Sequence, residues 1–285
     1  MKKILTLGTL MLTMLTACHQ KTAGVSAAAG DSFDSLTVDI DSMGVSMTLK
    51  IYGTPGDTLM KHCLAQYVGD RLFFADDEEP IVHKPDYDGQ LRTFLYACTR
   101  QKWDELKNLT FPPRPEGEDN SEIPTPEELL DGLGDDACLT SYYVEFQKVY
   151  ETDSIVSWTC QYSVYVNATA HPSGGFSGIT FSKADGTTLG PTLLKDTDTA
   201  GFHQLQKEAL REYVIREFGE TDVTDDKLKH LLPESLDINA LPMPEDAPYL
   251  DGQGVALPYS EYQLIAREPV TLVIPYDKVR PYLRR

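Results

Sequence analysis

Between residues 36 and 51 apolar and polar positions alternate: Leu36, Val38 and Ile40, then, after Ser42-Met43-Gly44, Val45, Met47, Leu49 and Ile51. A period of two around a glycine-containing turn predicts a β-hairpin with one buried face. Thr54-Pro55-Gly56-Asp57 breaks the pattern, and Asp57 can cap a helix over Thr58 to Val68 that buries Leu59, Cys63 and Tyr67. A second helix, over 91–109, puts Leu91, Phe94, Leu95, Cys98 and Leu106 on one face. The strongest alternation follows in Tyr142, Val144 and Phe146, then Val156, Trp158, Cys160, Tyr162, Val164 and Val166. Polar partners Ser157, Thr159, Gln161 and Ser163 give this antiparallel pair one wet face.

After His171-Pro172-Ser173-Gly174-Gly175 the pattern predicts a strand over Phe176 to Ser182, an Asp185-Gly186 turn and a short extended Thr187 to Leu189. Asp198 or Thr199 then caps a helix with Phe202, Leu205, Ala209, Tyr213 and Phe218 inward and Gly219 as its stop. Thr224-Asp225-Asp226 opens a shorter helix that ends at Pro233. Strands over 255–257, 261–266 and 270–274 and a helical turn over 277–283 close the chain. Segregated runs of strands and helices predict an α+β fold: antiparallel sheets with helices packed on one side, in two intimately associated subdomains.

The N-terminus carries a different signal. Met1-Lys2-Lys3 precedes an apolar, small-residue run from Ile4 to Ala17, too short for a stable spanning helix and built like a secretion signal. It ends in Leu15-Thr16-Ala17-Cys18, which resembles a bacterial lipobox. That resemblance implies a lipoprotein signal peptide over 1–17 and lipid on Cys18, with residues 18–32 as a small, polar tether. The expectation is an exported protein held to the membrane by its N-terminal lipid. No acidic cluster directly follows Cys18, which favours the periplasmic face.

Four further cysteines, Cys63, Cys98, Cys138 and Cys160, permit two disulfides in an oxidising compartment. Cys63, Cys98 and Cys160 lie on apolar stripes and equally suit free, buried thiols. None forms a C-x-x-C.

The chain has 285 residues, 41% of them hydrophobic, which is enough to build a core and argues against wholesale disorder. The formal charge of −19 excludes the basic footprint that nucleic acid binding needs. Loss of Lys2 and Lys3 with a signal peptide takes −19 to −21. Much of the acid lies in a Pro-rich loop over 112–136, with nine acidic residues, five prolines and only Arg114 basic.

The last third resembles the extracytoplasmic domain of the RsiV family, a domain of unknown function also found beside some peptidoglycan deacetylases. The residues that carry the likeness are Ser173-Gly174-Gly175-Phe176-Ser177-Gly178, Gln253-Gly254-Val255-Ala256-Leu257-Pro258-Tyr259, Tyr262-Gln263-Leu264-Ile265-Ala266 and Val273-Ile274-Pro275-Tyr276-Asp277. It implies an RsiV-like domain over 168–285 and a companion α+β domain over 33–167. Family members often have a Gly-Gly-Ala-His-Gly run where this chain has Gly174-Gly175-Phe176-Ser177-Gly178, so no role of that histidine carries over. The cytoplasmic segment of the family's namesake and the deacetylases' catalytic domain have no counterpart, so sigma-factor control and deacetylation do not carry over either.

No catalytic, metal or cofactor constellation is legible. Ser177 lacks the second glycine of a nucleophile elbow. The Asp196-Thr197-Asp198 run has Ala200 and Lys207 where a calcium loop needs oxygen ligands. Tyrosine is abundant, with 15 copies, and Tyr142, Tyr259, Tyr262 and Tyr276 are the candidate binding surface. The resemblance implies a cationic partner such as a lysozyme-like enzyme, whose charge the acidic chain would complement. A glycan-binding module or peptidoglycan hydrolase is the alternative class.

Overall fold

The computed structural model describes residues 34–73, 84–110, 128, 138–166, 173–265 and 269–284. The expected signal peptide, Cys18, the tether and most of the 112–136 loop lie outside them. Two sheets carry the fold, and the α+β class stands. The first hairpin joins β1 (Ser35–Ser42) to β2 (Val45–Tyr52) in continuous register around Met43-Gly44. Both turn residues have positive φ, 55° and 70°, as a tight two-residue hairpin requires.

Helix α1 (Thr58–Leu72) follows, its N-terminus capped by the Asp57 carboxylate, which accepts from the Met60 N–H at 2.8 Å. It runs one turn past the predicted end, and Leu59 is exposed on its first turn rather than buried. Helix α2 (Leu91–Thr110) buries all five predicted residues together with Trp103, whose indole N–H donates to the Val45 carbonyl at 3.1 Å. The two helices carry the chain across the sheet, so β3 (Thr140–Glu151) lies parallel to β2. The alternation identifies these strands but not their relative direction, and this one pair departs from the antiparallel expectation.

Strand β4 (Ile155–Val166) returns antiparallel to β3, and β5 (Ser173–Ser182) pairs with β4, giving the order β1-β2-β3-β4-β5. Strand β5 lies beyond residue 167 and still belongs to the first sheet, so the sheets do not divide where the sequence suggests. One face of this sheet packs on α1 and α2 around Leu49, Ile51, Leu64, Leu95, Phe146 and Trp158.

The second unit begins with α3 (Gly190–Leu193) and α4 (Ala200–Phe218). Thr199 caps α4 by accepting from the Phe202 N–H, and Gly219 ends it in the left-handed region at φ 65°. Phe218 is exposed at that last turn, against expectation. After α5 (Asp225–Leu231), strands β6 (Tyr249–Leu250), β7 (Gly254–Tyr259) and β8 (Val270–Pro275) form an antiparallel sheet. A short α6 (Tyr276–Val279) and a 3₁₀ turn over Arg280–Tyr282 close the described chain. Residues 261–263 form a turn instead of the predicted strand. Their second core gathers Phe202, Leu210, Leu228, Val255, Leu257, Leu272 and Ile274.

The two sheets meet at β5. A Cβ on Gly178 would overlap the Tyr249 ring, and the Leu250 N–H donates to the Thr180 hydroxyl at 2.9 Å. Thr180 and Ser157 share a further buried hydrogen bond of 2.9 Å. Gly178→Ala should therefore lower stability by about 1–3 kcal/mol through overpacking. In a Tyr249→Ala background the same change should cost far less, because the ring is gone. Equilibrium denaturation of the four species measures the coupling; additive losses would show that this contact does not set the sheet spacing.

Candidate functional site

A cluster of polar side chains lies under the C-terminal half of α1, where the two units join. Tyr67 and Ser177 are both buried, and their hydroxyls lie 3.1 Å apart. One turn on, the Arg71 guanidinium stands 5.7 Å from the Tyr67 ring centroid and binds the Asp246 carboxylate at 3.0 Å. Asp246 is 175 residues away in sequence and belongs to the segment leading into β6. Burial pushes the Tyr67 hydroxyl far above its usual range. The Cys160 thiol beside it is pushed up to about 12 for the same reason. Ser177 thus faces a protonated phenol rather than a base, and Cys160 is held as a thiol. The cluster has the chemistry of a joint.

Next to it, the Tyr162 ring covers Gly175, where a Cβ would collide with it. This explains a glycine in the Ser173–Gly178 run by close approach rather than by turn conformation. Burial raises the Tyr162 hydroxyl, with a smaller contribution from the Glu261 charge. Glu261 itself reaches back to the Gly174 N–H at 3.3 Å. It thereby fixes the turn that follows, in which the Ser260 N–H donates to the Gln263 side chain at 2.9 Å. At the apex stands Tyr262, 64% exposed, with φ 65°. A tyrosine in the left-handed region is an outlier, and here it is held by bonds on both sides.

The four candidate tyrosines therefore separate. Tyr262 is exposed. Tyr142 and Tyr259 are core residues at 5% and 1% exposure, which removes them from a binding surface in this conformation. Tyr142 faces inward with Val144 and Phe146 on the helix side of β3. The Tyr259 hydroxyl is satisfied inside, donating to the Pro242 carbonyl at 2.9 Å and accepting from Gln206 at 3.0 Å. Tyr276 is half-buried, its ring tilted against that of Tyr150 at 6.1 Å between centroids, and it donates to the Asp251 carbonyl at 2.6 Å.

The four cysteines are free thiols, so neither possible disulfide is formed. Each has its own surroundings: Cys63 points at the Gly186 carbonyl, and Cys138 bonds the carbonyls of Gly44 and Thr140. Cys98 and Cys160 sit in the first core. Among the described residues no three His, Cys, Asp or Glu side chains gather to hold a metal. No described helix is long and apolar enough to cross a membrane.

No family model matches the chain, and no curated protein matches it. Among solved structures it is similar to a member of the DUF3298 family from Bacteroides fragilis. That similarity has a TM-score of 0.53 at 15% identity, covering 89% of this chain and 94% of the other. A DUF3298 family protein from Pseudomonas aeruginosa PAO1 also aligns, with a TM-score of 0.48 at 14% identity, over 89% of this chain and 95% of that one. The first shows a shared fold, and at that identity the likeness stops there.

Two outcomes check the site. In the native protein at pH 8, a thiol alkylator should modify Cys138 first. Cys98 and Cys160 should react only after unfolding, because burial both shields them and pushes their thiols up to about 12. Mass spectrometry of labelled peptides reads this, and early labelling of Cys160 would contradict the packing under α1. Separately, Tyr262→Gly should leave the melting temperature unchanged or raise it by a few degrees, because the left-handed conformation costs a tyrosine about 1 kcal/mol. A clear drop would mean the ring packs more than its exposure suggests.

Proposed function

We propose that this chain is an exported, lipid-anchored envelope protein of binding type, attached through Cys18 and facing the periplasm, whose partner is a cationic protein such as a lysozyme-like enzyme. The observation that carries the binding role is Tyr262, a large aromatic residue kept exposed at φ 65° by the hydrogen bonds of its turn. Backbone strain of this kind persists where it serves a purpose, and an exposed tyrosine gives rigid contact area with a polar end. The cationic partner is supported by the chain's formal charge of −19 and by the RsiV-like sequence run. Basic side chains are widely committed internally: Arg71 binds Asp246, Lys207 and Arg211 both bind Asp225, and Lys148 and Lys183 both bind Glu151. The anchor reading rests on the charge, length and small residues before Cys18, with nothing apolar and periodic in 19–32 to hold that end to the core.

Titration of a cationic lysozyme onto the full chain in non-ionic detergent should give binding that weakens as salt rises, mainly through slower association. Tyr262→Ala should weaken it about tenfold without lowering the melting temperature. Absence of binding at both low and physiological ionic strength would remove this partner. For the anchor, Cys18→Ser should move the protein from the membrane fraction to the soluble one with its melting temperature unchanged. Retention in the membrane fraction would overturn lipid attachment at Cys18.

A further inference from the structure

The five-stranded sheet has two edges, and the chain treats them differently. On β5, Gly174, Thr180 and Ser182 turn main-chain groups away from β4, and each finds a partner. Glu261 accepts from the Gly174 N–H at 3.3 Å, the Leu189 N–H donates to the Thr180 carbonyl at 2.9 Å, and the Ser182 N–H donates to the Thr187 carbonyl at 2.9 Å. This edge is therefore taken at both its ends.

Among the described residues, the edge at β1 has no such cover at Ser35, Thr37 or Asp39. The Gly53 N–H donates to the Asp34 carbonyl at 2.7 Å, which fixes the phase of the antiparallel ladder. In the register that pairs Leu36 with Ile51, Val38 with Leu49 and Ile40 with Met47, those residues turn their main-chain groups toward β2. Ser35, Thr37 and Asp39 therefore turn theirs outward, and among the described residues nothing takes them. Natural sheets blunt such an edge by shortening it, bulging it, covering it, or placing proline or charge, lysine above all, on it. Strand β1 is eight residues long, its register is unbroken, and Ser-Leu-Thr-Val-Asp-Ile-Asp-Ser holds neither proline nor lysine. Its only charges are Asp39 and Asp41, both exposed on the face away from the helices.

We propose that β1 is an interaction edge that receives an extended, basic segment of a partner protein by β-strand addition. Main-chain bonding to Ser35, Thr37 and Asp39 supplies the general affinity, and alternate basic side chains on the added strand lie beside the two aspartates. The intervening side chains of that strand extend the apolar face of Leu36, Val38 and Ile40, so the preferred segment alternates basic and apolar residues. A second copy of this strand supplies no basic side chain to meet the two aspartates, and in the registers centred at or beyond Asp39 it would bring the same acids opposite one another. The inference shares the cationic partner with the proposed function but stands on the geometry of the edge.

The test uses the full chain in non-ionic detergent and two capped peptides of equal charge, (Lys-Val)4 and (Lys-Pro)4. Addition of (Lys-Val)4 should slow amide hydrogen exchange at Ser35, Thr37 and Asp39 by about tenfold, while (Lys-Pro)4, which cannot pair, leaves them unchanged. Thr37→Pro removes an N–H that the sheet does not use, so it should weaken (Lys-Val)4 binding about fivefold or more with little change in melting temperature. Asp39→Asn should weaken it less and reduce its salt dependence. Equal binding of both peptides, protection confined to other amides, or unchanged affinity of Thr37→Pro would overturn the proposal. Should Thr37→Pro fail to fold, the exchange pattern of the unmodified chain decides. A positive peptide result beside a failed lysozyme titration overturns the partner named above and leaves the edge standing.

Discussion

The approach of the Tyr249 ring to the backbone of Gly178 sets the distance between the two sheets, and much of the architecture follows from it. A strand that must serve two cores needs small residues where the second sheet comes closest. Strand β5 has Gly178 and Thr180 where Tyr249 and Leu250 approach, and the Phe176 ring on the same face stands beside Tyr249 at 6.4 Å between centroids. Close approach would strand polar groups, so Thr180 serves both Ser157 and the Leu250 N–H, leaving the buried hydroxyls partnered. With β6 fixed there, β7 is buried along its whole length, and its Tyr259 needs the internal partners that Gln206 and Pro242 provide. On the opposite side of β5, Tyr67, Ser177, Arg71 and Asp246 bind the preceding segment to α1. The second unit thus grips β5 from both faces.

Local chemistry was the legible part of this fold. The sequence marks the helix starts at Asp57, at Asp198 or Thr199, and at Thr224-Asp225-Asp226; the caps are Asp57, Thr199 and Thr224, and each accepts the N–H three residues on. The alternation in 36–51 and 142–166 identified the strands and the face turned to the helices, because period two survives any tertiary arrangement. The face expected to be wet, however, is buried at Ser157 and Thr159, where the second unit packs through Thr180 and Leu250. What needed long-range information was lost. The parallel pairing of β2 with β3 depends on the crossover through α1 and α2, which no local pattern encodes. The Arg71–Asp246 pair spans 175 residues between two otherwise ordinary polar positions. Tyr142 and Tyr259 read as surface residues because tyrosine carries a polar end, whereas burial with a partnered hydroxyl is an equally good solution for Tyr259. Residues 261–266 read as a strand from their apolar content, but Glu261 and Gln263 spend their side chains on main-chain N–H groups and close a turn instead.

Charge and backbone strain bear on function in different ways. The buried ammonium of Lys207 is held by Asp225 at 2.6 Å and Asn239 at 3.0 Å, and Arg211 shares the same carboxylate at 2.7 Å. Lys207 and Arg211 pull the Asp225 carboxyl below its ordinary range, Lys207 the more strongly. Whatever stability this contributes is present above the usual carboxylate range and is lost as pH falls through the lowered value. Such pairs use cations to join elements of the second unit, which leaves fewer of them to offset the acids on the surface.

Strain separates the positive-φ residues in the same spirit. Met43, at φ 55°, stands in a two-residue hairpin whose geometry demands that conformation of whatever residue occupies it, and Gly44 beside it shares the demand. The turn at Ser260–Gln263 also needs one left-handed residue, but glycine or asparagine would meet that need at lower cost. A tyrosine there, with most of its surface in water, gains little burial in return for the strain. Its turn is held by hydrogen bonds from flanking side chains, one of them reaching back across to Gly174 at the end of β5. A residue that costs the fold and is nonetheless fixed so firmly is better explained by what it presents to the outside than by anything it does within.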